Sequence, residues 1–124
     1  MSAPAPTVAA LAQGLAAGQF SSVELTRHYL ERIAAAQPEL NAFITVTGES
    51  ALKAAAEADA LRAAGRAGRL TGVPIAHKDI FCTEGVRTTC GSKMLGNFVS
   101  PYDATIVSGL RAAGTVMLLS LIHI

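Results

Sequence analysis

Lys78 and Asp79 stand side by side at the end of a short apolar run, and these residue types can do chemistry. The run, residues 73–76, predicts a buried strand. A lysine that emerges from a buried strand loses hydration, and desolvation lowers the pKa of a lysine from its usual value of ~10.4. A neutral amine can activate a hydroxyl, as in the Ser-Lys variants of the serine triad. The position of Lys78 at the end of a predicted buried strand therefore allows it to be a catalytic base.

The residues alone also allow plainer roles around Lys78. Its ammonium can simply pair with Asp79 or with a carboxylate elsewhere, as buried charges usually do. His77 falls on the opposite face of a regular strand, and we interpret it as a satisfied core or edge histidine rather than a general base. A polar cluster follows, in which Thr88, Thr89 and Ser92 are candidates for structural or supporting roles.

Composition limits the classes of function. The net charge is +1, charged residues make up 15% of the chain, and no basic run forms a footprint for nucleic acid. Cys82 and Cys90 match no zinc or redox spacing, so we expect two free thiols. The first residues carry no basic segment of a secretory signal, and no apolar run approaches the ~20 residues of a membrane span. We therefore expect a cytoplasmic protein.

Capping signals mark the ends of the expected helices. Thr7 can cap a first helix that ends near Gly18, and Ser21 with Glu24 forms a capping box for the second. Pro38 is expected to end the second helix. The expected helices after the first cover 22–36, 49–64 and 104–113, and the expected strands cover 41–47, 73–80 and 115–119. This order predicts an α/β fold with a mixed or parallel sheet covered by helices.

The last helix has its own predicted start. Asp103 is placed as its N-cap, with Tyr102 and Val107 available for a hydrophobic staple. Helical spacing then points Ile106, Val107 and Leu110 inward.

Residues 70–105 resemble the amidase signature family. The pattern G-x-P-x-x-x-K-D runs from Gly72 to Asp79, and T-x-G-x-x-T-T-x-G-S runs from Thr83 to Ser92. The runs CGSKML and PYDAT are similar to the branch of the family that forms the A subunits of tRNA-dependent amidotransferases. The resemblance implies the N-terminal portion of the amidase signature fold, a mixed sheet covered by helices.

The resemblance also implies a reaction and partners. Lys78 becomes the base of a Ser–cis-Ser–Lys triad that hydrolyses L-glutamine, and it is the one catalytic residue expected in this chain. The ammonia would convert Glu-tRNA(Gln) or Asp-tRNA(Asn) to the amidated form. The implied partners are B and C subunits in a heterotrimer, with aminoacyl-tRNA held through the B subunit. No cofactor is expected in this chain, whereas the whole complex would use ATP and Mg.

The family pattern is lost at residue 119, where the chain continues as Leu-Ser-Leu-Ile-His-Ile. Family members instead reach a glycine- and serine-rich segment that carries both catalytic serines. We therefore expect residues 1–124 to be an N-terminal fragment of an amidase domain, inactive and poorly folded alone, with residues 119–124 as a non-native tail. Two alternatives stay open: a hydrolase of small amides that shares Lys78, and a non-catalytic binding domain.

Overall fold

The computed structural model describes residues 6–121. This part of the chain contains four α-helices and three β-strands, with a short 3-10 helix at Lys93–Leu95. The helices are α1 (Val8–Ala16), α2 (Ser22–Leu40), α3 (Gly48–Ala63) and α4 (Thr105–Ala112), and the strands are β1 (Phe43–Val46), β2 (Pro74–Lys78) and β3 (Val116–Leu121). Their order along the chain is α1-α2-β1-α3-β2-α4-β3, and the 3-10 helix lies between β2 and α4.

The predicted caps of the first two helices are present. The Thr7 hydroxyl accepts a hydrogen bond of 3.1 Å from the amide of Ala10. The Ser21 hydroxyl accepts from the Glu24 amide at 3.1 Å, and the Glu24 carboxylate accepts from the Ser21 amide at 2.8 Å. Both donors would otherwise lack partners at a helix start, so this reciprocal pair sets where α2 begins.

Pro38 does not end α2, contrary to the sequence-based expectation. The helix continues to Leu40, because Asn41 takes a left-handed conformation (φ 44°) and its amide donates to the Gln37 carbonyl at 2.8 Å. Asparagine tolerates this conformation better than most residues, so it closes the helix in the way a glycine often does. The Gln37 side chain then exchanges two hydrogen bonds with the backbone of Phe43 and fixes the entry to β1.

The sheet is mixed, as predicted, with the strand order β1-β3-β2. β3 is central; it runs antiparallel to β1 and parallel to β2, with α4 in the crossover between the parallel strands. β3 continues through Leu121, beyond the expected end at residue 119, and pairs with both neighbours there. Residues 122–124 of the expected tail lie outside the described residues.

Two apolar clusters hold α1, α2 and α3 in place. The first joins α2 and α3 to β3, and the second joins α1 and the start of α2 to the residue before β2. The buried members are Ile33, Ala51, Ala55, Val116, Leu118 and Leu119 in the first cluster and Leu11, Leu15, Leu25 and Val73 in the second.

No helix within residues 6–121 combines the length and the apolar character needed to cross a bilayer.

Asp103 is not the N-cap of α4, which corrects the prediction. The helix starts at Thr105 after Ala104, with no side-chain cap. Asp103 instead accepts a 2.7 Å hydrogen bond from the Glu84 amide and forms a 2.9 Å ion pair with Arg111. The Asp103 carboxylate is therefore bound by the Glu84 amide and by the Arg111 guanidinium at the far end of α4, rather than by the amides at the start of the helix.

The predicted inward face of α4 is correct in part. Val107 is buried and Leu110 is half-buried, but Ile106 is 49% exposed. Tyr102 is 59% exposed and therefore cannot staple the helix start onto Val107.

Candidate active site

Lys78 is the last residue of β2, and its partner across the sheet is Leu121 of β3. Its side chain is exposed, so the expectation that a buried strand would shield this lysine from water is wrong within residues 6–121. β2 lies at the edge of the sheet formed within residues 6–121, and of the run 73–76 only Val73 is buried. The sequence pattern placed the lysine correctly at a strand end but overestimated how much of the strand is covered.

The simple pairing of Lys78 with Asp79 is also absent from the described part of the chain. The ion pair found in residues 6–121 joins Asp103 to Arg111. Asp79 is 1% exposed whereas Lys78 is exposed, so the two charged groups occupy different environments. The carboxylate consequently finds its partners in the loop rather than in the neighbouring ammonium.

Asp79 anchors the end of β2 through its backbone and its side chain. Its amide donates to the Leu121 carbonyl at 2.7 Å, and its own carbonyl accepts from the Cys90 amide at 2.9 Å. Its Oδ2 atom accepts from the Thr89 amide at 3.1 Å and from the Thr89 hydroxyl. Buried carboxylates require such donors, because an unpaired charge is costly away from water.

The turn at Thr89 packs against this carboxylate. The Thr89 hydroxyl donates to Asp79 and accepts a 3.1 Å hydrogen bond from the Gly91 amide. Cys90 and Gly91 both have positive φ angles, 51° and 69°, so the backbone folds back sharply. A left-handed non-glycine residue is uncommon and persists where surrounding contacts determine it.

The other polar candidates have structural places. Thr88 is buried, and its amide donates to the Phe98 carbonyl at 3.0 Å. The Ser92 hydroxyl accepts from the Met94 amide at 3.2 Å and caps the 3-10 helix. Neither hydroxyl forms a hydrogen bond with Thr89 or Asp79, so their contacts agree with the structural roles predicted for them.

His77 is buried, as expected for a core histidine, but it is not satisfied. Neither ring nitrogen has a hydrogen-bond partner within residues 6–121. Burial lowers the pKa of His77 below its usual 6.5; the Asp103 carboxylate raises this pKa and Arg111 lowers it, both to smaller extents. The folded structure therefore favours the neutral imidazole.

A cavity of about 330 Å³ lies beside His77, between α3, α4 and the sheet. Glu57, Glu84 and Arg111 are the other ionisable residues in its wall, and Lys78 is absent from the wall. The cavity and the strand-end lysine are thus separate features of β2.

Both cysteines are free thiols, as predicted. The Cys82 Sγ atom and the Tyr102 hydroxyl form a 3.7 Å hydrogen bond, and this contact raises the pKa of Tyr102 because it favours the neutral phenol. In the part of the chain that the structure describes, no three His, Cys, Asp or Glu side chains gather as metal ligands.

Sequence reasoning missed the importance of Asp79 and gave Thr89 only a supporting role. The signal available was the alternation along β2, because a residue that follows an exposed strand residue is turned towards the interior. The partner of Asp79 lies ten residues further on, across a glycine turn, and no periodicity predicts such a contact.

Comparison with known proteins gives one family. The family described as Amidase matches residues 24–120. The chain is 65% identical over 111 residues to the A subunit of the glutamyl-tRNA(Gln) amidotransferase of Thiobacillus denitrificans, and 62% identical over 112 residues to that of Azotobacter vinelandii. Each match covers 90% of this chain and 23% of the relative. The chain therefore spans about a quarter of the length of these curated relatives.

Solved structures show the same fold. The peptide amidase of Stenotrophomonas maltophilia superposes with a TM-score of 0.88 at 39% identity, over 95% of this chain and 25% of that enzyme. A bacterial aryl acylamidase of the amidase signature family also reaches 0.88, over 94% of this chain and 25% of its own, but at 21% identity, which supports the fold alone. The mixed sheet and its helices thus have the arrangement found in amidase signature enzymes.

Proposed function

This chain belongs to the amidase family, and we propose that it is part of the glutamine-hydrolysing A subunit of a tRNA-dependent amidotransferase. The observation that carries the proposal is the identity of 58–65% to subunits with that name, against 39% to the peptide amidase. Because the chain spans about a quarter of those relatives, the activity is proposed for the longer protein, and the 124 residues alone are proposed to be inactive.

Lys78 is the proposed base. A serine supplied by the longer chain adds to the side-chain amide carbon of glutamine, and its proton passes through a second serine to the neutral amine of Lys78. The C–N bond then breaks, the nitrogen takes back a proton and leaves as ammonia, and water hydrolyses the acyl-enzyme to glutamate.

The proposed setting is a cytoplasmic heterotrimer. B and C subunits would complete the enzyme, with ATP and Mg used by the whole complex and aminoacyl-tRNA held through the B subunit. The names of the relatives support this setting, since each is called the A subunit of an amidotransferase.

A hydrolase of small amides is the second candidate. The TM-score of 0.88 and the 39% identity with the peptide amidase favour it. The two candidates differ in their need for partners: the amidotransferase component would work with B and C subunits, and the hydrolase would work alone.

A chimeric protein tests which of the two candidate functions is correct. In this chimera, residues 8–118 of the chain replace the matching segment of the Thiobacillus denitrificans relative, to which the chain is 65% identical. Together with the B and C subunits of that organism, the chimera is expected to release ammonia from glutamine and to amidate Glu-tRNA(Gln). Hydrolysis of simple amides without partners, and no glutamine-dependent amidation with them, would contradict the proposal.

A further inference from the structure

Asp79 ties the residue after Lys78 to a turn ten residues further along the chain. Its Oδ2 atom accepts two hydrogen bonds from Thr89, through the amide at 3.1 Å and through the hydroxyl. Both residues are buried, with 1% of Asp79 and 5% of Thr89 exposed. We call this pair the Asp79–Thr89 brace.

We propose that the Asp79–Thr89 brace positions Lys78 for proton transfer. The inference rests on the proposed function, because it assumes that Lys78 is the base of the amidase reaction. Asp79 and Thr89 are positioning residues, since they act through the lysine rather than on the substrate.

The geometry explains why a brace is needed at this place. β2 is an edge strand within residues 6–121, and Lys78 is its last residue, where strands ordinarily fray. A lysine side chain is long and flexible, so the direction of its backbone decides which region the amine can reach. Fixing the very next residue is the most direct way to fix that direction.

Backbone hydrogen bonds on both sides of Asp79 act together with the brace. The Asp79 amide is bonded to Leu121 of β3 at 2.7 Å, and its carbonyl accepts from Cys90 in the turn at 2.9 Å. The carboxylate adds charge-assisted bonds to Thr89, which are stronger than neutral ones. Thr89 in turn accepts from the Gly91 amide at 3.1 Å, so strand end and turn are held as one unit.

The second carboxylate oxygen of Asp79 makes a matched pair of variants possible, Asp79→Asn and Asp79→Ala. Asp79 Oδ1 is buried and has no hydrogen-bond partner within residues 6–121. Asp79→Asn can therefore turn its amide oxygen towards Thr89 and keep the brace without the charge. Asp79→Ala removes the brace. At the other end, Thr89→Val removes the hydroxyl at nearly the same volume, and Thr89→Ser restores it.

The variants are compared in the chimeric heterotrimer. We expect Asp79→Ala and Thr89→Val to lower kcat for glutamine hydrolysis about tenfold to a hundredfold, as misplacement of a reacting group does. The KM for glutamine should change less than about threefold, since the brace does not touch substrate. Thr89→Ser and Asp79→Asn should keep kcat within about threefold of the parent chimera.

Ser22→Ala separates positioning from stability. The Ser22 hydroxyl donates a buried 2.9 Å hydrogen bond to Gly72, away from the strand end. This variant should lower the melting temperature and leave kcat unchanged. The proposal is overturned if Thr89→Val keeps full kcat, if Thr89→Ser loses as much as Thr89→Val, or if Ser22→Ala lowers kcat equally for the same loss in melting temperature.

A second readout does not depend on the reaction. Amide hydrogen exchange at Thr89 and Cys90 should speed up about tenfold or more in Thr89→Val and stay slow in Thr89→Ser. If the parent chimera hydrolyses no glutamine, the proposed function fails, and this exchange result then decides whether the brace exists. Equal exchange in Thr89→Val and the parent would refute the brace itself.

Discussion

The helical part of the chain, residues 8–63, and the strand-end loop, residues 79–104, are held together by different forces. The helical part packs apolar side chains into two clusters, and Leu15 and Ala55 are almost fully buried there. The loop has little regular structure; two isolated bridges, Glu84 with Ser100 and Arg87 with Val99, cross it. Its order comes from hydrogen bonds, both between backbone groups and to two carboxylates, Asp79 and Asp103.

This difference separates stability from chemistry. Apolar burial is spread over many contacts, so the loss of one polar group from the helical part should lower its stability without releasing a single segment. The loop depends on a few polar anchors, and losing one can release a segment without unfolding the domain. The proposed base, Lys78, directly precedes the loop. This difference between the two regions can therefore be tested in the chimeric protein, by measurements that report on each region separately.

The largest effect is expected in the helical part. Leu15→Ala should lower the opening free energy of this region by about 2–5 kcal/mol, because it removes a buried side chain and leaves a cavity. Hydrogen exchange should accelerate in α1 and α2 and remain unchanged at Thr89. Val8→Ala on the same helix, where Val8 is 54% exposed, should cost less than about 0.5 kcal/mol. Equal acceleration in loop and helices would show that the two regions open together.

A smaller effect is expected at the second loop anchor. Asp103→Ala should cost about 1–3 kcal/mol, measured by hydrogen exchange in the loop, because the Glu84 amide loses its acceptor. Arg111→Met removes only the ion pair, and with 57% of the Arg111 side chain exposed it should cost at most about 1 kcal/mol. If Arg111→Met cost as much as Asp103→Ala, the ion pair rather than the amide contact would be the anchor.

The smallest effect is a dependence on pH. The pKa of His77 is lowered by burial, so above about 6.5 the imidazole is neutral in both folded and unfolded chains. As the pH falls below that value, the unfolded chain binds a proton that the folded chain does not, and stability decreases until the lowered pKa is reached.

His77→Phe tests this dependence. It should remove the contribution of His77 to the drop in melting temperature between about pH 7.5 and about pH 5.5, while costing little at the higher pH, since the ring nitrogens have no partners to lose within residues 6–121. His77→Gln, which does not titrate but stays polar, serves as the matched variant. An unchanged drop in both variants would show that His77 does not govern the response.

The sequence predicted the helical part well, because local rules decide it. Thr7, Ser21 and Glu24 act through neighbours three residues away. Runs of β-branched and apolar residues identified, to within a few residues, the three strands found in residues 6–121. Pro38 was misjudged because its helix end depends on the conformation of Asn41 rather than on the proline itself.

Local sequence rules do not predict the contacts of the loop. Asp103 lies just before a helical run and resembles a cap, yet its best donors are Glu84, nineteen residues back, and Arg111. Lys78 was expected to be buried because its strand is apolar, but burial depends on how many strands and helices flank it. The resemblance supplied the role of Lys78; the contacts that hold it became visible only in three dimensions.

The role of Lys78 as the base of the amidase reaction can be tested with a pair of lysine variants in the chimeric heterotrimer. Lys53 on α3 is also exposed and provides the matched control. We expect Lys78→Met to lower kcat for glutamine hydrolysis by about 10²–10⁴-fold, as loss of a general base does, while Lys53→Met leaves it unchanged. Full activity in Lys78→Met, or an equal loss in Lys53→Met, would contradict this role.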